Sequence, residues 1–412
     1  MSDKRMLIIG MVWPEPTSSA AGTRMIQLVT LFIDEGYAVF FASAASKSEF
    51  SFNLTEIGIT ELPITLNDAS FDRLTAEINP SIVLFDRFMI EEQYGWRITE
   101  TCPDALKILD TEDLHFLRRD RQHALNSTSN SKPLSDTAKR EIASILRCDM
   151  SLIISEYEIQ LLQDQYRIDA TLLYYLPFLE NKINQEHISA WRSFEDRTGF
   201  VFIGNFLHEP NWHTTQFIKT KIWPELRRKH PDAGMHIYGA YTSQKVTQLH
   251  NPKERFYVHG RAGHAQETIQ QHRVLLAPIQ FGAGVKGKFI DAMQTGTPSV
   301  TTDIGAESMS GKLPWPGAIE NEPQRFIESA AKLYKDKASW MQAQQNGIRI
   351  INERYDSELF SKAFIAAVNI LFAQLVTHRN QNFLGQILKM NTLNSSKYMA
   401  LWIEEKNKNK TP

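Results

Sequence analysis

The sequence has few cysteines: Cys102 and Cys148 are the only two among 412 residues. Two cysteines cannot build a disulfide framework, and by number they cannot form a cysteine metal cage. Such low usage is typical of proteins in a reducing compartment. We therefore expect a cytoplasmic protein in which both cysteines are buried as small apolar residues.

An excess of charge of either sign is also lacking, because 45 basic residues are balanced by 47 acidic ones. A net charge of −2 provides no long-range field that would attract nucleic acid, which we exclude as a partner. No stretch reaches the roughly 20 apolar residues of a transmembrane helix. The apolar run at residues 6–13 leads into Pro14 and Pro16 without a small-residue cleavage site, which favours a first buried strand over a secretory signal. A soluble protein is expected, and peripheral membrane contact stays open.

Strand-length apolar runs alternate with helical periodicity along the chain, which is typical of doubly wound α/β domains with parallel sheets. The predicted strands are residues 6–12, 37–42, 81–85, 105–109, 149–155, 171–176, 200–203, 235–238, 255–258, 274–278 and 298–302. Since 412 residues exceed the size of one hydrophobic core, we expect two Rossmann-like domains, at residues 1–180 and 198–376.

The remaining segments follow from composition and periodicity. Residues 177–197 lose periodicity and form the predicted linker, and the Ser- and Asn-rich residues 126–136 form a predicted surface loop. An amphipathic helix at residues 358–376 is expected to close the second domain, and a final helix that crosses back to the first domain is the alternative left open. Residues 377–412 are expected to be a helical extension that ends in a solvated tail.

A glycine-rich segment, GAGVKGKFIDAM at residues 282–293, lies between two predicted strands of the second domain. Ligands of open parallel sheets bind beyond the carboxyl ends of the strands, so this loop is a strong candidate site. Its glycines let backbone amides approach an anion, the next helix presents its positive end, and Lys286 and Lys288 add two full charges. We interpret it as a phosphate site. The alternatives are a structural tight turn and a dinucleotide fingerprint, although that fingerprint normally opens its domain.

The longer segment GAGVKGKFIDAMQTGTPSVTTDIGAE, at residues 282–307, resembles the donor site of GT-B glycosyltransferases of the glycosyltransferase family 4, or group 1, type. The resemblance implies two Rossmann-like domains that face a cleft and a UDP- or GDP-sugar donor bound by the second domain. It also implies that Lys286 and Lys288 neutralise the donor diphosphate. Asp291 would then accept hydrogen bonds from the ribose hydroxyls.

Two weaker motifs extend the resemblance over most of residues 1–375. FIGNFLHEPNW at 202–212 resembles the first strand and loop of the family's second domain, where a Gly-Asn pair approaches the diphosphate; a plain strand and turn is the alternative. PEPTSSAAGTR at 14–24 resembles the loop that runs over the donor phosphates, and Arg24 is alternatively a solvated helix residue. The donor-binding set implied by all three motifs is Gly22, Gly204, Asn205, Gly284, Lys286, Lys288, Asp291, Gly305, Ala306 and Glu307.

The sequence departs from the family pattern at Ala283. The common pattern has a glutamate eight positions before the second acidic residue, which is Asp291 here. A contact to the sugar hydroxyls is therefore missing or replaced. This leaves open the donor sugar and the retention of anomeric configuration that the resemblance implies.

The loop LDTEDLHFLRR, at residues 109–119, follows a predicted strand of the first domain and is rich in polar groups. Such a cluster can orient an acceptor hydroxyl, and a histidine is the natural group to hold a proton near neutral pH. We expect Asp113 and His115, together with Lys288, to act in catalysis. A capped helix start is the alternative interpretation of the loop. Asp86 and Arg87, after the strand at 81–85, are either a further acceptor contact or a structural ion pair.

The sequence contains neither an H-E-x-x-H motif, nor a Cys/His grid, nor a D-x-D triplet, so we expect no metal and no cofactor besides the nucleotide-sugar co-substrate. The predicted function is a hexosyltransferase of polysaccharide biosynthesis, which moves a sugar from a nucleotide-sugar to a hydroxyl of a glycan, a lipid-linked saccharide or a protein. A nucleotide-sugar 2-epimerase and a non-catalytic nucleotide-sugar-binding protein are the alternatives.

Overall fold

The structure is a computed structural model that describes residues 4–125 and 134–408, and within residues 391–396 the backbone only. The strands of the described residues are β1 (Arg5–Gly10), β2 (Ala38–Ser43), β3 (Thr60–Pro63), β4 (Ile82–Asp86), β5 (Leu106–Asp110), β6 (Met150–Ile153), β7 (Leu173–Tyr175), β8 (Phe200–Ile203), β9 (Met235–Tyr238), β10 (Phe256–Gly260), β11 (Val274–Ala277), β12 (Ser299–Thr301) and β13 (Gly317–Ile319).

The α-helices between and after them vary from one turn to 26 residues in length. They are α1 (Ala20–Asp34), α2 (Ser70–Ile78), α3 (Phe88–Thr101), α4 (His115–Leu125), α5 (Asp136–Arg147), α6 (Glu156–Asp164), α7 (Gln185–Ser189), α8 (Glu209–Phe217), α9 (Trp223–Lys229), α10 (Gln244–Thr247), α11 (Ala265–Ile269), α12 (Gly287–Gln294), α13 (Asp303–Ala306), α14 (Pro323–Lys335), α15 (Lys337–Arg354), α16 (Ser357–Ala373), α17 (Leu375–Gln381) and α18 (Phe383–Lys408).

All the strand pairs of these elements are parallel, and they form two sheets with the same arrangement. The first sheet has the order β3-β2-β1-β4-β5-β6-β7, and the second has the order β10-β9-β8-β11-β12-β13. In each sheet the first strand lies between two strands that follow it, so the strand order reverses there. Such switch points open a crevice at the carboxyl ends of the strands. The predicted fold class, two doubly wound α/β domains, is confirmed.

The first strand shows why the apolar runs predict the sheets. In β1, Met6 and Ile8 belong to one buried core, and Leu7 and Ile9 belong to the core on the other face. A strand that is buried on both faces has to be apolar at every position, which gives a continuous run instead of an alternating pattern.

Two short strands, β3 and β13, were not among the predicted ones. Both lie at sheet edges, and their side chains are exposed or half-buried. An edge strand needs little apolar surface, so its sequence carries no strong strand signal.

The predicted helix at residues 358–376 exists as α16, but it does not pack in the second domain. Phe364 and Val368 join the core of the first domain, where they are buried with Met6 and Phe32. The helix ends at Ala373, and α17 continues at an angle of 81°. The predicted domain of this helix was wrong for a simple reason. An apolar helix face indicates that the helix is buried, but it does not indicate which domain core it packs against.

The predicted linker at 177–197 is partly built into the second domain. The Arg197 side chain is fully buried and donates to the Thr295 carbonyl at 2.8 Å and the Thr297 hydroxyl at 2.6 Å. The predicted loop at 126–136 and the predicted tail fall largely on residues 126–133 and 409–412, which lie outside the described residues. Ser135 caps α5, and its side chain accepts from the Ala138 amide.

Candidate functional site

The carboxyl ends of the two sheets face one another, and their loops are in contact. Gly284, in the loop between β11 and α12, lies against Asp113 in the loop between β5 and α4. Its φ of 62° favours glycine, and a Cβ there would lie 2.9 Å from the Cβ of Asp113. The predicted phosphate loop and the predicted acceptor loop therefore meet at this point.

The two lysines of the phosphate loop lie at the start of α12 and are half-buried. Lys288 Nζ donates to Asn211 Oδ1 at 2.7 Å and lies 4.2 Å from the centre of the Phe202 ring, while Lys286 Nζ donates to the Gly284 carbonyl at 2.8 Å. Neither ammonium group forms an ion pair with a carboxylate of the described residues. Burial lowers the pKa of Lys286 to about 8 and that of Lys288 to about 7.

Asn211 connects Lys288 to the Gly-Asn loop after β8. The sequence did not predict this role, although Asn211 belongs to the motif at 202–212. Its Nδ2 donates to the Asn205 carbonyl at 2.8 Å, and its side chain packs on Gly204. About one turn after Lys288 in α12, Asp291 Oδ1 accepts from Gln266 Nε2 at 3.2 Å. Burial raises the pKa of Asp291 to about 6.

The segment after β12 takes part in a contact between the domains. Arg121, from α4, donates through both terminal nitrogens to the Glu307 carboxylate, at 2.8 and 2.7 Å, and also to the Gly282 carbonyl at 2.8 Å. The amides of Gly305 and Ala306 are hydrogen-bonded to Thr302 within α13. In this structure, therefore, the Glu307 side chain faces the first domain, and the two preceding amides already have partners.

Glu158, at the start of α6, is a second connection that the sequence did not indicate. Its fully buried Oε1 accepts from the Leu114 amide at 3.2 Å and from the Gly284 amide at 2.8 Å. Burial, together with the nearby Asp113 carboxylate, raises its pKa to about 7. One carboxylate thus holds the acceptor loop and the phosphate loop together. A glutamate in a helix first turn looks like an ordinary dipole contact in sequence, which is why it was missed.

The predicted catalytic pair lies side by side at the start of α4. Asp113 pairs with Arg118, and its Oδ1 is 3.5 Å from His115 Nε2. Burial raises the pKa of Asp113, but Arg118 and His115 outweigh it and hold the value at about 2. His115 donates its amide to Glu141 Oε1 at 3.1 Å, and its ring packs edge-on against Phe88.

The expectation that His115 holds a proton near neutral pH is not supported. Burial lowers the pKa of His115 to about 4 and outweighs the attraction of Asp113. The imidazole is therefore neutral at pH 7, while Asp113 is ionised. The sequence places the two groups together, but burial decides which one carries the charge.

Asp86 and Arg24 have structural partners. Asp86 is buried, and its Oδ2 accepts from the Met11 amide at 3.0 Å, which ties the loop after β1 to β4; Arg87 lies 3.5 Å from the same oxygen. Arg24 is not solvated but fully buried: it pairs with Asp110 at 3.2 Å and donates to the Leu176 carbonyl at 2.9 Å.

The N-terminal loop also reaches the second domain. Both carboxylate oxygens of Glu15 accept from the Tyr241 hydroxyl at 2.8 Å. Gly22 is buried directly against the backbone of Glu15, where a Cβ would clash. Its lack of a side chain therefore allows the start of α1 to pack closely against the N-terminal loop. In the described residues, no group of three or more histidine, cysteine or acidic side chains is arranged to hold a metal ion.

Residues 197–336 match the family model described as glycosyl transferases group 1. The second domain is therefore similar to the donor-binding half of group 1 glycosyltransferases. This confirms the predicted group and enzyme class, whereas the narrower assignment to glycosyltransferase family 4 stays a prediction. A curated relative, an uncharacterized 44.6 kDa protein in the cps region of Klebsiella pneumoniae, is 23% identical over 180 residues, 40% of this chain. The chain spans less than half, 44%, of that relative's length.

Solved structures of similar fold cover nearly the whole chain. Sucrose-phosphate synthase from Thermosynechococcus elongatus is 13% identical, with a TM-score of 0.66, over 90% of this chain and 99% of that chain. Anabaena Alr3699/HepE in complex with UDP-glucose is 13% identical, with a TM-score of 0.65, over 89% of this chain and 100% of that chain. At these identities the likeness shows the fold, and the predicted GT-B architecture is confirmed.

Proposed function

We propose that this glycosyltransferase moves a hexose-type sugar from a UDP- or GDP-sugar, bound by the second domain, to a hydroxyl group held at the first domain. The observation that carries the proposal is the pair of half-buried lysines at the start of α12, which have no carboxylate partner among the described residues. Desolvated cations without a counterion destabilise the free protein. A diphosphate at this helix N-terminus would supply the missing negative charge.

The same charges would assist the chemical step. The acceptor oxygen attacks the anomeric carbon of the sugar, the bond from that carbon to the phosphate oxygen breaks, and nucleoside diphosphate leaves. Negative charge grows on the departing diphosphate, so Lys286 and Lys288 stabilise the transition state more than the bound donor. If the anomeric configuration is retained, the acceptor attacks from the leaving-group face and its proton passes to the departing phosphate oxygen. No protein base is then required.

On the acceptor side, Asp113 is the residue suited to orient a hydroxyl. Its carboxylate is ionised at neutral pH, lies against Gly284 and can accept a hydrogen bond from the attacking group. His115 would be a neutral neighbour that positions Asp113 and the acceptor. We propose these roles together with the donor-side set of Gly22, Gly204, Asn205, Gly284, Lys286, Lys288, Asp291, Gly305, Ala306 and Glu307.

Ala283, where the family pattern has glutamate, packs against the core of the first domain. The buried Glu158 carboxylate accepts from the very next amide, that of Gly284. This contact, one residue after Ala283, supports a role for Glu158 in holding the phosphate loop in place. In this protein the position of the family glutamate is therefore occupied by an apolar residue, and the carboxylate beside the loop comes from the first domain. The proposed donor sugar is a hexose.

We further propose that the enzyme is cytoplasmic, needs no metal ion or other cofactor, and acts in polysaccharide biosynthesis on a glycan, a lipid-linked saccharide or a protein. The relative from a cps region supports this choice of process. The two lysines and the end of α12 supply the positive charge that a divalent cation provides in other transferases.

The test is a thermal-shift screen of nucleotides and nucleotide-sugars, followed by assays of nucleoside diphosphate release with the best donor. We expect stabilisation by UDP or GDP compounds, and release in step with acceptor-bound sugar. Lys335, an exposed lysine of α14, provides the matched control, since Lys335→Met should behave as wild type and Lys288→Met should not. Epimerised free sugar, or donor binding without turnover on any acceptor class, would contradict transfer.

A further inference from the structure

One histidine in the cleft between the domains has no role in the proposed mechanism. His208 lies in the loop that follows β8, directly before α8, and it is exposed to solvent. Charged side chains nevertheless surround it, since Arg118, Asp113 and Lys288 all contribute to its electrostatic environment. Solvent exposure combined with charged neighbours from both domains places the imidazole inside the cleft, between the donor-side lysine and the acceptor loop.

The backbone of this loop is fixed by hydrogen bonds on both sides of the histidine. The His208 amide donates to the Asn205 carbonyl at 3.2 Å, and the His208 carbonyl accepts from the Asn211 amide at 3.0 Å. The Phe206 amide donates to the Ala240 carbonyl at 3.0 Å, which ties the loop to the segment after β9. The backbone therefore holds the imidazole at a defined place in the cleft.

His208 occupies the N-cap position of α8, where histidine is not a preferred residue. Serine, threonine, aspartate and asparagine are preferred there, because their side chains accept hydrogen bonds from the first amides of the helix. The His208 side chain forms no such bond, and among the described residues neither ring nitrogen has a hydrogen-bond partner. Local sequence rules of this kind are broken chiefly at functional sites. The ring is therefore free to bind a ligand.

The first turns of α8 and α12 lie next to one another. Asn211, in the first turn of α8, accepts through Oδ1 from Lys288 Nζ, in the first turn of α12, at 2.7 Å. A helix N-terminus carries partial positive charge and favours anions. A diphosphate bound at Lys288 would therefore lie in the field of both helices, with the His208 ring beside it at the start of α8.

The imidazole is uncharged at neutral pH. Desolvation by the surrounding protein, together with the Arg118 cation, lowers the pKa of His208 to about 4, although the Asp113 carboxylate acts in the opposite direction. A neutral imidazole has one N–H donor and one nitrogen that accepts. The ring can therefore donate a hydrogen bond to a phosphate oxygen without giving up its proton.

We propose that His208 is a catalytic residue that donates a hydrogen bond to the phosphate oxygen which leaves the sugar. This inference rests on the proposed transfer reaction, and it adds His208 to Lys286 and Lys288 on the departing diphosphate. As the bond from the anomeric carbon to this oxygen breaks, the electron pair of the bond stays on the oxygen. The hydrogen bond strengthens with the growing negative charge, and the His208 proton remains on the ring.

The first test needs no turnover, because the products UDP and GDP carry the same phosphate oxygen. In the full chain with isotope-labelled histidine, we expect the ring nitrogen resonances of His208, assigned with His208→Gln, to shift on saturation with UDP or GDP. The resonances of His250, an exposed histidine of the second domain, are the control and should not shift. Unshifted His208 resonances, when calorimetry shows that the nucleotide is bound, would overturn the proposal. If neither nucleotide binds, the donor site itself is wrong and this proposal fails with it.

The second test is kinetic. His208→Phe keeps a planar ring without an N–H group, so kcat should decrease roughly 100-fold, while UDP affinity should change less than about tenfold and show that the variant is folded. His208→Gln retains an N–H donor and should keep kcat within about tenfold of wild type, and His250→Phe should match wild type. Wild-type kcat in His208→Phe, or an equal loss in both His208 variants, would overturn the proposal. A wild-type protein that shows the resonance shift but transfers no sugar would instead contradict the proposed reaction and leave the phosphate contact standing.

Discussion

Replacing Lys288 with methionine should stabilise the ligand-free protein and, at the same time, abolish glycosyl transfer. Methionine matches the apolar stem of lysine but lacks the ammonium group that donates to Asn211 and lies over the Phe202 ring. Stability and activity change in opposite directions because the Lys288 ammonium is half-buried without a carboxylate partner among the described residues. The charge costs stability in the free protein, but it would bind the diphosphate of the donor.

The stability term follows from the pKa. Burial lowers the pKa of Lys288 from 10.5 to about 7, a displacement that corresponds to roughly 5 kcal/mol in full. Residual contact of the half-buried side chain with water reduces this, and we expect about 1–2 kcal/mol. The unfolded chain binds the proton more tightly, so the penalty is complete below pH 7 and disappears as the pH rises towards 10.5. The gain in Lys288→Met should therefore be largest near pH 6.5 and small near pH 10.

The same substitution should impair glycosyl transfer. A charge-assisted contact to the departing diphosphate contributes on the order of 2–4 kcal/mol to the transition state, which corresponds to roughly 30- to 1,000-fold in kcat/KM. Thermal unfolding at both pH values and a transfer assay at subsaturating donor measure the two effects, with Lys335→Met as the control. Wild-type turnover, or a lower melting temperature at pH 6.5, would refute the reasoning.

Three further predictions test the acceptor loop, the contact between the domains and the absence of a metal. His115→Ala should lower turnover at least about tenfold, or 1.4 kcal/mol, and change nucleoside diphosphate affinity in calorimetry less than about threefold. Since the pKa of His115 is about 4, wild-type turnover should show no inflection near pH 6.5 from this group, and such an inflection lost in the variant would contradict the burial argument. Arg121→Met removes the contacts to Glu307 and Gly282 between the domains. It should raise the donor KM roughly tenfold and increase the radius of gyration in small-angle scattering. Arg140→Met is the control and should do neither, because its exposed pair with Glu92 lies within the first domain. Dialysis against EDTA should leave turnover nearly unchanged, and full loss that magnesium or manganese restores would be the contrary result.

The local features of this protein were predictable from its sequence. Strands buried on both faces are continuous apolar runs, and the strands at Phe200–Ile203 and Met235–Tyr238 begin and end where the sequence predicts. The glycine loop with Lys286 and Lys288 was recognisable because its chemistry needs residues that are neighbours along the chain. The group 1 resemblance depends on the same contiguous motif.

Contacts between residues far apart in the chain were decided only by the tertiary structure. Glu158 joins Leu114 to Gly284, and Arg121 reaches Glu307, across separations of 44 to 186 residues that no local pattern encodes. The same holds for α16, whose apolar face packs on the first domain. Charge states also belong to the folded molecule: His115 and Lys288 are ordinary titrating residues in the sequence, and the surroundings that bury them move their pKa values to about 4 and about 7.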